Sequence, residues 1–386
     1  MRVAILTLFL LPLAAYADVS LFQTTYDESR SQYLRSVAAV ETSKDKSIYQ
    51  MQFPDPGDAS LVTDVTWIQH TKKAPTLIVI ISGLHGIEGF TGSAVQSYIL
   101  KNIKANSPSD YLFVHALNPY GFKNFRRTDR NNIDLNRNFS ADEKQYLTKN
   151  ANYSEINSFL NPSTSVKLNF LSKPLFIFSA LKLIFQNSTE MLRRSILLGQ
   201  YSHPIGIYYG GLQPAYQKTI LDQLHSEIFT KYAQVFVVDL HTGYGEKNKL
   251  HILANSKTQP TAPLLNTIFS PGRIDYGDQK SFYKVTGDML SYLGSKSDPG
   301  NLIFGVVFEF GTLNSQQTLG SIESLRRMIL ENQKFHFSAN SDSAKNIDSL
   351  FLDLFYPTDS FWREEALKNS LIALQKVESY LVKTPQ

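Results

Sequence analysis

From residue 76 onward the chain alternates short, almost unbroken apolar runs with longer stretches whose apolar positions recur at helical spacing. The runs Thr76–Ile81, Tyr111–Leu117, Gly206–Tyr209, Gln234–Leu240, Leu250–Ala254 and Leu302–Phe310 are rich in β-branched and aromatic residues, which reads as strands. Several hold almost no polar residue, as strands do when a sheet buries both of their faces. Strands separated by helical stretches predict an α/β fold with a mostly parallel or mixed central sheet flanked by helices. The C-terminus predicts two amphipathic helices, near Ser321–Phe335 and Phe361–Val382. Residues 18–60 read as a helical lead followed by the turn-rich "FPDPGDAS".

Residues 141–200 break the pattern with "LNFLSKPLFIFSALKLIF". Lys173, Pro174 and Lys182 interrupt it well short of the ~20 apolar residues that a bilayer span requires. A packed helical hairpin is the expectation, at the rim of a site or against a membrane surface. The remainder reads as one domain from residue 18 to 386, preceded by a leader at 1–17. That leader has a basic Arg2, an apolar stretch Val3–Ala15 and an Ala15-Tyr16-Ala17 cleavage site, the pattern of a secretory signal peptide. The mature chain is expected to begin near Asp18, in a periplasmic or secreted location.

Composition removes alternatives. The 386 residues contain no cysteine, so thiolate metal sites and cysteine nucleophiles are excluded, and an exported chain must rely on its core rather than on disulfides. A hydrophobic content of 42% against 19% charged residues describes a globular protein. The formal net charge of +4 is scattered along the chain, too weak a footprint to indicate a nucleic-acid partner.

Three apolar runs end directly in polar clusters: "IISGLHGIEG", "VVDLHTGYGE" and "VVFEFGT". In an α/β sheet such carboxyl ends gather the functional loops. His85 and Glu88 stand three apart in a glycine-rich turn, and His241 leaves the next such strand. Two imidazoles and one carboxylate suit zinc, with a fourth position left for water. His203, beside Pro204, is an alternative ligand, whereas His115 and His251 lie inside strand-like runs and read as core histidines. Glu309, between Phe308 and Phe310, is costly to bury unless it is paired or used. Burial of that kind raises a carboxylate toward the range of a general base. The polar stretch 118–139 concentrates Arg126, Arg127, Arg130, Asn136 and Arg137. An adjacent amide and guanidinium suit the grip of a carboxylate, and Asp134 can orient a ligand histidine.

Together "HGIEG", "NPYGF…RR…DLNRNF", "DLHTG" and "FEFGT" resemble, in content and order, the zinc carboxypeptidase superfamily, which includes carboxypeptidase A, succinylglutamate desuccinylase and aspartoacylase. The resemblance spans roughly residues 76–313, and "GIYYGG" at 206–211 is most similar to a bacterial branch of that superfamily. It implies one zinc ion held by His85, Glu88 and His241, with Asp134 behind a ligand histidine. It further implies Glu309 as general base, Arg127 facing the scissile carbonyl, and Asn136 with Arg137 gripping the substrate's terminal carboxylate. Members often add a tyrosine between the third ligand and the base, where this chain offers Tyr244, Tyr276, Tyr283 and Tyr292. The implied activity is that of an exported metallocarboxypeptidase acting on peptides. An N-acyl-amino-acid amidohydrolase is the alternative with the same chemistry. A non-haem iron centre or a non-catalytic binding protein gives Glu309 and the arginines no required place.

Overall fold

The computed structural model describes residues 18–40, 46–70, 74–103, 107, 109–254, 261–270, 272–276 and 286–383. The expected leader at 1–17 and Tyr283 lie outside these residues. Eight strands form one mixed sheet: β1 (Lys46–Asp55), β2 (Asp58–His70), β3 (Thr76–Ile81), β4 (Asp110–His115), β5 (Gln234–Thr242), β6 (Leu250–Ala254), β7 (Ile274–Tyr276) and β8 (Leu302–Phe310). Their order is β1-β2-β4-β3-β5-β8-β6-β7. The central four, β4-β3-β5-β8, run parallel, while β2 and β6 flank them antiparallel. The chain passes from β3 outward to β4, then returns to β5 on the other side of β3. That reversal opens a crevice at the carboxyl ends of β3 and β5, where α/β sheets bind ligands.

The apolar runs behave as their pattern demands. Along β3, Leu77, Val79 and Ile81 enter one core with Ile220, Leu221 and Leu224 of a helix at Tyr216–Glu227. Ile78 and Ile80 enter the opposite core with Phe90, Val95 and Ile99. This is the period-two alternation of a strand covered on both faces. Helices α1 (Tyr26–Ala38), α2 (Gly89–Asn102), α3 (Ser172–Asn187), α4 (Thr189–Leu197), α5 (Tyr216–Glu227), α6 (Thr318–Phe337), α7 (Ser341–Phe355) and α8 (Ser360–Lys383) are the longer ones that surround the sheet.

Several expectations are corrected. Residues 46–70 form a long hairpin instead of a turn-rich lead, and "FPDPGDAS" supplies only its turn, where Asp55 pairs with Asp58. The edge strand β1 is mostly accessible and carries Pro54, so its apolar signal is thin. Residues 206–209 are not a strand; Tyr209 makes only an isolated bridge with Gln200, and Tyr208 takes a left-handed φ of 56°. The strand expected at Tyr111–Leu117 spans Asp110–His115, because the chain turns at Asn118, whose side chain caps the short helix Pro119–Lys123. Helix α7, between the two C-terminal helices that the pattern predicts, buries Ile347, Phe351, Leu354 and Phe355. Residues 141–200 contain two short helices, Ala151–Glu155 and Asn157–Leu160, followed by α3 and α4 joined at Ser188.

Candidate active site

The turn after β3 is built on close backbone approach. A Cβ at Gly86 would lie 2.1 Å from the carbonyl carbon of Gly121, so only glycine fits. Gly86 and Ile87 donate their N–H groups to the carbonyls of Arg127 and Arg126, at 3.1 and 2.8 Å. The turn bearing His85 and Glu88 is thereby tied to the loop bearing Arg127. Across the crevice, His241 on β5 and Glu309 on β8 occupy the same register of a parallel pair.

His85, Glu88 and His241 are buried, and one ligand atom from each lies within 4.8 Å of the others. Glu88 sits between the two imidazoles. Its Oε1 is 2.9 Å from Nδ1 of His85, and its Oε2 is 2.9 Å from Nδ1 of His241. The far nitrogens face carboxylates: Nε2 of His85 is 3.1 Å from Asp134, and Nε2 of His241 is 2.6 Å from Asp239. Each imidazole thus has a carboxylate oxygen at both ring nitrogens, and whichever nitrogen of a neutral ring lacks the hydrogen turns its lone pair on a carboxylate. Such convergence is repulsive unless positive charge resides there. Burial works against a charged His241, yet Asp239 and Glu88 drive its pKa well above the ordinary value. The donor set of two imidazole nitrogens and one carboxylate, backed by carboxylates, fits a zinc ion.

Arg127, Asn136, Arg137 and Glu309 join His85, Glu88 and His241 in lining a cavity of about 240 Å³. Burial, reinforced by the charge of Glu88, pushes Glu309 up to about 8; its Oε1 accepts the Tyr244 N–H at 2.9 Å. Arg127 reaches Oε1 of Glu88 at 3.0 Å and Oδ2 of Asp134 at 3.2 Å. Burial opposes ionisation of Asp134, but Arg127, Arg137 and His85 hold its carboxyl well below the usual range. Arg126 turns the other way. It pairs with Glu331 at 3.0 Å and lies 3.4 Å from the ring centroid of Phe335. Asn136 accepts the Met289 N–H through Oδ1, and Arg137 donates to the Asn136 carbonyl at 3.1 Å. Nε of Arg137 is buried and has no hydrogen-bond partner among the described residues, and its Nη1 lies 3.9 Å from Oδ1 of Asp134.

Sequence reasoning passed over two residues of this site. Asp239 was concealed inside an apolar run, although Asp-x-His on a strand places both side chains on one face. Tyr208 lines the cavity with its ring 5.7 Å from the Arg127 guanidinium and 5.2 Å from that of Arg137. Among the tyrosines weighed, Tyr244 borders the cavity. Tyr276 instead bonds Asn266, and Tyr292 bonds Asp222, both away from it. His203 meets Ser154 and stacks on Tyr153, outside the cluster. His115 is buried against Tyr33 and bonds Ser93, and His251 bonds the Glu246 amide beside Asp275.

The mixed eight-stranded sheet with its crevice at the carboxyl edge defines a zinc-carboxypeptidase-like α/β fold. The structure of bovine thrombin-activatable fibrinolysis inhibitor in complex with tick carboxypeptidase inhibitor is similar with a TM-score of 0.52 at 12% identity, over 94% of this chain and 99% of that one. Two more distant likenesses, which carry no argument by themselves, are carboxypeptidase A from Helicoverpa armigera and murein-tripeptide amidase MpaA from Escherichia coli O157. The first has a TM-score of 0.44 at 13% identity, covering 86% of this chain and 73% of that one. The second has a TM-score of 0.34 at 15% identity, covering 76% and 93%. No curated protein matches by sequence. The chain belongs to the family described as "Protein of unknown function (DUF2817)", whose model matches residues 22–369.

Proposed function

We propose that the protein is a zinc-dependent hydrolase that cleaves an amide bond next to a free carboxylate, in the manner of a metallocarboxypeptidase. The observation that carries this reading is Glu88 shared by two histidine Nδ1 atoms, with Glu309 in register beside His241. His85, Glu88 and His241 would hold the ion, and a bound zinc supplies a Lewis acid that acidifies water and polarises a carbonyl. Glu309 accepts the proton of the attacking water and then delivers it to the leaving nitrogen as the C–N bond breaks. A carboxyl held near neutrality by burial is suited to both transfers. Arg127 donates to the carbonyl oxygen as negative charge develops on it. Asn136 and Arg137 hold the substrate carboxylate, which fixes the register of the cleaved bond. Asp134 and Asp239 keep the histidine rings oriented through Nε2.

Zinc-replete protein incubated with peptides bearing a free C-terminus and with N-acyl amino acids tests the reading by product analysis. Release of a free amino acid, absent from C-terminally amidated analogues and abolished in Glu309→Gln, is expected. Equal turnover of amidated analogues contradicts the carboxylate grip, and release confined to acylated amino acids shifts the assignment to the amidohydrolase. Action outside the cytoplasm is proposed from the leader pattern, and N-terminal sequencing of exported chain, expected to begin near Asp18, checks it.

A further inference from the structure

Helix α3, Ser172–Asn187, has two apolar faces where a surface helix needs one. Its inner face packs into the protein: Ala180, Leu183 and Ile184 line a small recess that shares Arg193, Ile196, Ser321 and Leu325 with the catalytic cavity. Its outer face is bare. Leu171, Leu175, Phe178 and Phe185 follow at intervals of four, three and seven along one stripe, and Phe170 precedes it. Phe185 is 93% exposed, Phe170 88%, Phe178 69% and Leu175 60%. No other stretch among the described residues exposes so many large apolar side chains in sequence, and contiguous patches of this kind mark interaction surfaces.

The charges around the stripe say what meets it. Between Glu155 and Glu190 the chain contains Lys167, Lys173 and Lys182 and not one acidic residue. Lys182 lies inside the stripe, eleven residues after Leu171, where its long stem can cover apolar surface while the ammonium reaches water. Lys167 is exposed just before the helix, whereas Lys173, about 200° round the helix from Leu171, turns away from the stripe to Glu323 at 3.4 Å. A second copy placed on this face would offer Lys182 no carboxylate, since the stripe contains none. Apolar rings with interspersed cations and no anions are instead complementary to an anionic lipid surface. The helix is also too short to span: no described helix is long and apolar enough to cross a membrane.

We propose that α3 docks the protein onto anionic membranes, lying in the headgroup layer with Phe170, Leu175, Phe178 and Phe185 inserted. The inner face of the same helix walls a recess that shares four lining residues with the catalytic cavity, so docking brings the site close to the lipid. This inference stands apart from the hydrolase reading, because its test requires no turnover.

Co-sedimentation of the protein with vesicles of phosphatidylglycerol and phosphatidylethanolamine, and separately with phosphatidylcholine vesicles, tests it. Binding to the anionic vesicles is expected, weakened at least tenfold by Phe178→Gln with Phe185→Gln and reduced by added salt. Both substituted side chains are exposed, and circular dichroism with sedimentation velocity verifies that the variant keeps its fold. Absence of binding to anionic vesicles overturns the proposal, as does equal binding by the double variant. A concentration-dependent dimer abolished by the same substitutions, with no vesicle binding, overturns it in favour of self-association.

Discussion

Oδ2 of Asp239 lies 2.6 Å from Nε2 of His241, two residues further along β5. Both side chains point to the same side of the strand, so one short segment supplies a ligand and the carboxylate that fixes its ring. Asp239→Ala removes that acceptor and leaves the His241 ring free to change tautomer. Zinc affinity, measured by competition with a chromogenic chelator, should fall roughly 10- to 100-fold.

Glu309→Gln keeps the shape and loses the proton acceptor. Hydrolysis should drop by roughly two to four orders of magnitude, while zinc content stays that of the unaltered protein. Steady-state kinetics with metal analysis on the same preparation checks both halves.

Arg126 and Arg137 should separate cleanly. Arg137→Ala should lower kcat/KM for substrates with a free carboxylate by about tenfold or more, and leave their amidated analogues nearly unaffected, since a charge-assisted hydrogen bond contributes about 1.5–3 kcal/mol. Arg126→Met instead leaves Glu331 buried without its partner and should destabilise the fold by about 3–5 kcal/mol in chemical denaturation.

Asp129 gives a pH dependence that is separate from the catalytic cluster. Burial pushes its carboxyl up to about 6, against the backbone N–H groups of Ile133 and Asn131 that favour the charged form. The folded protein thus retains a proton that the unfolded chain has released, so this group's contribution to stability falls as pH rises from about 4 to about 6. Asp129→Asn keeps an oxygen acceptor for those two amides. Relative to the unaltered protein, the variant should gain up to about 3 kcal/mol across that window, measured by denaturant titration at several pH values.

The centre of the molecule was more legible than its margins, for a physical reason. β3, β5 and β8 are covered on both faces, so they appear in the sequence as unbroken apolar runs, and His85, Glu88, His241 and Glu309 stand out as the polar residues at their ends. β1 was obscured because an edge strand need not be apolar on either side, and β2 because it buries Thr63, Asp64 and Thr66 among its apolar residues. Asp239 was obscured by its neighbours: "VFVVDL" reads as core until His241 is seen to require a partner. Tyr208 was out of reach, since its place between Arg127 and Arg137 depends on a left-handed turn that no periodicity announces. Arg127 and Arg126 could be told apart in the sequence by position alone; in the structure the Arg127 side chain meets Glu88 and Asp134, and that of Arg126 meets Glu331.

The central claim is that His85, Glu88 and His241 hold one zinc ion. Elemental analysis of protein purified without added metal tests it most directly, alongside His85→Ala and His241→Ala. The account predicts one zinc per chain, lost from both variants while the fold survives. Stoichiometric iron in place of zinc, or zinc retained in full by His241→Ala, would contradict it.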